Sequence, residues 1–324
     1  MSDLLIQVSR RAMACEFEAR FPADRCPLGT QLALEALDAV EALDAQLSYF
    51  RPASEISRIN LLAAEEPVEA SPELFELLEL AVQIHRETGG AYDITSVPLW
   101  EAWGFARRAG QVPTEAELSE ARALVGGHLV ELDPARQTVR FRKPGVRINL
   151  GSIGKGYALD VCGRRLTASG MVDFLLHGGQ SSVLAHGRSV DSPDGRSTVP
   201  WEVGVCNPQR PKDRLGVIRL DDRALGTSGG QFQSFRHRGH RYGHILDPRT
   251  GRPAEGVLSA TVVAPTAALA DALSTAFYVL GPEGALEYCR SRPELSLVMV
   301  CPDGRGSGVS LHISDPGGTF RSTR

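Results

Sequence analysis

The segment that most constrains this chain is Thr266–Leu280, TAALADALSTAFYVL, which is apolar on nearly every side of a helix yet carries one acid, Asp271. A helix that is apolar all round packs inside a protein. A carboxylate carried in with it is costly unless it is paired or ligates a cation, so something must satisfy Asp271. Thr275 lies four residues on and projects from the same face. A carboxylate beside a hydroxyl suits the oxygen-only ligand preference of Mg²⁺. The competing arrangement is an arginine salt bridge to Asp271, with Thr275 hydrogen-bonded back to its own helix.

The rest of the chain can build a core around such a helix. Its 324 residues, 42% hydrophobic and 23% charged, are those of an ordinary folded protein of two domains or one large one. The formal charge of −4 provides no global field for nucleic acid or an anionic membrane. The basic run RHRGHR at 236–241 has one neighbouring aromatic and reads as a solvated loop. Six cysteines without a CxxC pair fit reduced thiols rather than zinc or disulfides. The opening MSDLLIQVSRRAM lacks the apolar run of a secretory signal, and no stretch approaches the ~18–20 apolar residues of a membrane span. A cytoplasmic location is the expectation.

Period changes mark the elements. Alternation over 4–21 predicts strand, and the stripe Leu32, Ala36, Val40, Leu43, Leu47 predicts a helix over 30–50. Ser71-Pro72 opens a second helix that stops at Gly89-Gly90, and Thr114-x-x-Glu117 is a capping box for a third near 115–124. Short strands are expected at 128–132, 138–142, 146–150, 172–177, 181–186, 201–205, 214–220 and 295–301, with turns such as DSPDG and NPQRP between them. Helices are expected from Tyr157 to about Ala168 and from Pro265 to about Leu280. The Gly- and Ser-rich residues 302–324 are expected to fray as a flexible tail. Helices and strands mix without a βαβ rhythm or a clean linker. This predicts an α+β unit of two interleaved lobes, a β-rich core flanked by helices, over 1–324 with its core at about 7–301.

Two further segments carry chemistry. Gly151-Ser152-Ile153-Gly154-Lys155-Gly156 sets amides and a lysine at a helix start, a place for an anion. It is not a Walker A loop: the glycine spacing is too short and Gly156 stands where that loop needs Ser or Thr. His244, in YGHILDPRTGRP, is placed to act as a general base or to serve as a hydrogen-bonded structural histidine.

Taken in order, the blocks LSYFRPASEISRIN (47–60), GGAYDITSVPLWEAWGF (89–105), RINLGSIGKGYALD (147–160), FLLHGGQSS (174–182), WEVGV (201–205), TSGG (227–230), GHILDPRTG (243–251) and ADALSTA (270–276) resemble the ApbE family, the FAD:protein FMN transferases. The resemblance runs from about residue 7 to about 301. It implies a T-fold-like α+β architecture and Mg²⁺-dependent cleavage of FAD at its pyrophosphate. FMN is joined through a phosphoester to a Ser or Thr in a flavinylation motif of an acceptor flavoprotein, and AMP leaves. Asp271, Ser274, Thr275 and, from the glycine loop, Ser152 match the family's metal ligands. His244 matches the catalytic base. Met13, Phe50, Ala91, Tyr92, Asp93, Asn149, Lys155 and Ile245 fall where the family contacts FAD, with Phe50 or Tyr92 offering a ring to the isoalloxazine.

Several positions depart from the common pattern. Met13-Ala14-Cys15 stands for Met-Gly-Thr, Asn149 for an Asp before Leu-Gly, Gln180 for a commoner Asp or Asn after Gly-Gly, Gly230 for an Asp after Thr-Ser-Gly, and Gly243 for a Ser before the histidine. Asn149 and Gly230 each remove a negative charge. These lost acids motivate one alternative to the transferase, a non-catalytic FAD-binding carrier; a second is an FAD pyrophosphatase, with water replacing the acceptor hydroxyl at the same metal site.

Overall fold

The runs SATVVA at 259–264 and SLVMVC at 296–301 show no alternation because both faces of these strands are covered, and all of their residues are buried. In this computed structural model, which describes residues 5–190, 198–230, 233–304 and 308–323, they lie in an eight-stranded sheet. Its spatial order is Leu5–Ala12, Cys15–Pro22, Phe174–Gly178, Ser182–His186, Ala224–Gly229, Ser259–Ala264, Ser296–Pro302, Val309–Ser314, with every neighbouring pair antiparallel. The DSPDG turn at 191–195 lies outside the described residues.

Helices cover one face of the sheet. α1 (Gly29–Leu47), α2 (Glu55–Leu62), α3 (Pro72–Glu87), α4 (Val97–Ala102), α5 (Glu115–Arg122), α6 (Gly154–Ala168) and α7 (Ala267–Cys289) follow in chain order, and α1, α6 and α7 supply much of the main core. On the other face, a three-stranded sheet of Trp201–Asn207, Arg210–Leu220 and Phe320–Ser322 packs Trp201, Val205 and Ile218 onto Val183, Leu225 and Val263. This is the expected α+β arrangement, a β-rich core flanked by helices. Among the described residues no helix is long and apolar enough to cross a membrane.

Local chemistry explains where the sequence reading holds and where it is corrected. The capping box forms, with the Thr114 hydroxyl accepting from the Glu117 N–H and Glu117 reaching back to the Thr114 N–H. α3 starts on Pro72 as expected, but the Ser71 hydroxyl donates to Glu55 at 3.0 Å instead of capping its own helix. The expected strand at 146–150 is irregular backbone, because Asn60 takes the Ile148 N–H and donates to the Ile148 carbonyl, at 2.8 and 2.9 Å. The single strand expected over 4–21 is a hairpin, Leu5–Ala12 with Cys15–Pro22, turning at Met13-Ala14. α7 bends at Gly281, φ 71°, and continues to Cys289. The segment read as a fraying tail is largely strand: Val309–Ser314 closes one edge of the large sheet and Phe320–Ser322 completes the small one.

Candidate functional site

The site begins where α6 and α7 meet. Gly156 permits the approach, since a Cβ there would stand 2.1 Å from the Ala267 carbonyl oxygen. Asp160, four residues further along α6, accepts from the Ala267 and Ala268 N–H groups at 2.8 and 2.9 Å and so caps α7 from a neighbouring helix. Burial pushes the Asp160 carboxyl up to about 6 against the pull of those two bonds. On another side of α7, Gly226 brings its strand close enough that a Cβ would meet the Ala270 carbonyl at 2.5 Å.

Asp271, only 5% exposed, sits in this junction. One oxygen accepts from the Gly156 N–H at 2.7 Å, and the Ser182 hydroxyl reaches both oxygens at 2.7 and 2.9 Å. No arginine pairs with it among the described residues. Burial raises its pKa to about 6, while the Lys155 charge, Ser182 and Gly156 pull the other way. The back-bonding alternative is realised in part. Ser274 donates to the Asp271 carbonyl at 2.8 Å, whereas Thr275 lies a long 3.4 Å from it. Both hydroxyls meet Ser228 Oγ at 2.9 Å. Ser274 and Thr275 therefore converge on Ser228 and the backbone rather than on the Asp271 carboxylate.

The glycine loop approaches from the other side. Asn149 accepts the Gly151 N–H at 2.8 Å and fixes the loop's start. Ser152 donates to the Tyr92 hydroxyl at 3.2 Å. Tyr92 is one of the largest fully buried side chains, and burial holds its phenol far above the usual pKa. Its ring is core and offers no face to a flavin. Phe50 is the opposite case: 67% exposed, it has Tyr49 edge-on at 5.2 Å and Trp100 at 6.3 Å. Tyr49 is tied through Glu101 to Arg147, two residues before Asn149. Asp93 is consumed by its own turn, accepting from Thr95 N–H at 2.8 Å and Gly127 N–H at 3.1 Å, with His85 Nδ1 at 3.1 Å. Its side chain is spent on Thr95, Gly127 and His85 rather than reaching outward. Ala91 and Ile245 are buried, and Met13 takes a left-handed φ of 48° in the hairpin turn.

His244 Nδ1 lies 3.0 Å from the Gln233 carbonyl, which can only accept, so Nδ1 carries the proton and Nε2 keeps its lone pair. Burial, with a further push from the Lys155 charge, holds the imidazole below its ordinary pKa. The same lysine acts on Asp271 and on Cys15. Lys155 thus lies close enough for its charge to act on Asp271, His244 and Cys15, whose chain positions span most of the sequence. Ser182, Ser228 and Asp160 were not singled out by sequence reasoning. Asp160 had a usable signal, since it is an acid in the apolar helical run YALDVC, the same anomaly that marks Asp271.

A model of the ApbE family matches residues 13–299. The chain belongs to the ApbE family. It is 30% identical over 293 residues to a Haemophilus influenzae protein named FAD:protein FMN transferase, covering 87% of this chain and 83% of that one. An Escherichia coli K12 protein of the same name is 28% identical over 300 residues, covering 91% and 83%. The ApbE protein from Thermotoga maritima superposes with a TM-score of 0.83 at 29% identity, covering 95% of this chain and 97% of that one. The apo form of Pseudomonas stutzeri flavinyl transferase ApbE gives 0.83 at 29%, covering 98% and 96%.

The departure at Gly230 has a partner in this ApbE chain. A Cβ at 230 would stand 2.5 Å from the Tyr278 hydroxyl, and the Gly230 backbone hydrogen-bonds that tyrosine. An acid fits at 230 only if Tyr278 moves away.

Proposed function

We propose that this chain moves FMN from FAD to a Ser or Thr hydroxyl of an acceptor flavoprotein, joining it through a phosphoester and releasing AMP. The observation that carries the reading is a lysine whose charge acts both on a buried carboxylate, Asp271, and on an imidazole, His244, whose Nδ1 is held by a carbonyl. The names of its relatives support the same activity.

His244 Nε2 takes the proton of the acceptor hydroxyl. That oxygen bonds to the FMN phosphorus as the bond from this phosphorus to the bridging oxygen breaks, and the electron pair leaves with AMP. The Lys155 charge and the glycine-loop amides at the start of α6 favour the pyrophosphate anion. Met13, Phe50, Ala91, Asn149 and Ile245 line the FAD site, with Phe50 as the ring against the flavin and Asp93 holding the turn that follows Ala91.

The donors around Asp271 are carboxylate and hydroxyl oxygens, the set that Mg²⁺ prefers, and the raised Asp271 pKa marks a buried charge that a cation would offset. Asp271, Ser152, Ser274 and Thr275 would hold it, the last two by turning from Ser228. Bound there, Mg²⁺ supplies positive charge to the pyrophosphate oxygens and to the departing AMP.

The test is to incubate the protein with FAD, Mg²⁺ and flavoproteins encoded beside its gene, then read intact masses. An FMN-sized addition on Ser or Thr with AMP in equal amount is expected. FMN and AMP formed without any adduct would make the protein a pyrophosphatase, and FAD recovered uncleaved would make it a carrier.

A further inference from the structure

Tyr92 is a buried hydroxyl that the proposed chemistry leaves unused. Its ring packs in the main core, and its backbone is held from both sides. The Thr88 hydroxyl accepts from its N–H at 3.2 Å, and His85 Nδ1 donates to its carbonyl at 3.1 Å. Thr88 donates in turn to the Ile84 carbonyl at 2.7 Å, which ties this turn to the end of α3. Two residues on, the Ile94 carbonyl accepts from the Asn149 N–H at 2.9 Å and joins the segment to the start of the glycine loop. The phenol oxygen is therefore a fixed point. Among the described residues its one hydrogen-bond partner is Ser152 Oγ, at 3.2 Å.

Ser152 has the matching need. It is half-buried in the loop whose Gly156 N–H holds Asp271 at 2.7 Å. A serine hydroxyl carries one proton and two lone pairs, and it rotates about its Cβ–Oγ bond unless a neighbour fixes it. The Tyr92 hydroxyl can accept from it, as it does here, or donate to it. Donation is open to it because burial above all, with the negative charges of Asp271 and Asp93, keeps the phenol protonated. A buried phenol proton without an acceptor is costly, and Ser152 Oγ is the acceptor at hand. When Tyr92 donates, one Ser152 lone pair is taken. The other is left for a cation and the Ser152 proton for an anion.

Resting on the transferase reading above and on its cation, we propose that Tyr92 is a positioning residue, whose hydroxyl donates to Ser152 Oγ and so commits that serine to the cation and to a pyrophosphate oxygen. Removing the phenol oxygen leaves the ligands in place and frees Ser152 to rotate. Groups that orient a metal ligand in this way are worth about 10–100-fold in metal affinity.

The probe is Mn²⁺ in place of Mg²⁺, with the free ion read by electron paramagnetic resonance on the full FAD-loaded chain without acceptor, independently of whether FMN is transferred. Tyr92→Phe keeps the packed ring and should weaken Mn²⁺ about tenfold. Ser152→Ala should weaken it as well, and adding Tyr92→Phe to that variant should cost nothing further, because the phenol acts only through Ser152. Ser152→Thr, which restores a hydroxyl in the loop, should restore both the affinity and its dependence on Tyr92. Unchanged Mn²⁺ affinity in Tyr92→Phe would overturn the proposal. So would an equal loss in the Ser152→Ala background, the signature of a merely structural tyrosine. A Tyr92→Phe chain whose FAD affinity falls without metal as far as its Mn²⁺ affinity would also overturn it, by assigning the hydroxyl to the nucleotide. A wild type that binds no Mn²⁺ would remove the cation reading and this inference with it. Failure of FMN transfer with the Tyr92–Ser152 coupling intact would count against the transferase reading and leave the positioning role standing.

Discussion

A histidine serves as a base near neutral pH when it is uncharged and has one nitrogen unused, and His244 meets both conditions through burial and the Gln233 carbonyl. His244→Asn should lower the transfer rate by about 10²–10⁴-fold while FAD still binds, which flavin fluorescence alongside the transfer assay would show. The pH profile follows from two signs. His244 is neutral above a pKa held below its usual value, and Asp271 is ionised above about 6, so both requirements fail as pH falls. A kcat/KM that is level from pH 7 upward and drops through about pH 6 is expected, and loss of activity between pH 7 and 8 would contradict it. At the hairpin turn, Ala14 holds a φ of 59°, a region that favours glycine. Ala14→Gly should stabilise the fold by about 0.5–1 kcal/mol, measured as a higher urea midpoint.

The α6–α7 junction sets the geometry of the site, and it depends on one missing Cβ and one acid. Gly156→Ala would drive a methyl into the Ala267 carbonyl, so loss of about 3 kcal/mol or more, with loss of FAD turnover, is expected from thermal unfolding and assay. Asp160→Ala should cost about 1–2 kcal/mol by leaving two helix N–H groups uncapped. Asp160 also has a pH signature. Its folded pKa of about 6 lies above the ~3.9 of an unfolded Asp, so its contribution is full below about pH 4 and is lost as pH rises through 6. Lowering the pH from 7 to 5 should stabilise the wild type relative to Asp160→Asn. At this scale the sequence is informative where one feature dominates, as with Asp271 in an apolar helix or the Thr114 capping box. It is silent where a distant side chain decides, as when Asn60 takes the backbone of Ile148 and leaves 146–150 irregular.

At the scale of the molecule, a sheet covered by helices on one face and by a small sheet on the other explains why the middle strands read as unbroken apolar runs. The candidate site gathers residues from α6, α7, the glycine loop and the DPRTG region. The ordered blocks that resemble the ApbE family made most of that set legible, whereas Ser182 and Ser228 are ordinary hydroxyls until folding sets them against Asp271, Ser274 and Thr275. The end of the chain reads as a tail because the Gly and Ser around it mask the alternation Val309, Leu311, Ile313. Removing residues 303–324 would strip an edge strand from each sheet, so a truncated chain should unfold at lower temperature or fail to accumulate in soluble form. The proposed chemistry needs Asp271 to hold a divalent cation for cleavage of FAD, and a Mg²⁺ titration of FMN transfer to acceptor in wild type and Asp271→Asn puts that role to the test. It predicts saturable, chelator-sensitive transfer in the wild type and almost none in a variant that still folds and binds FAD; transfer by Asp271→Asn at the wild-type rate and Mg²⁺ dependence would contradict it.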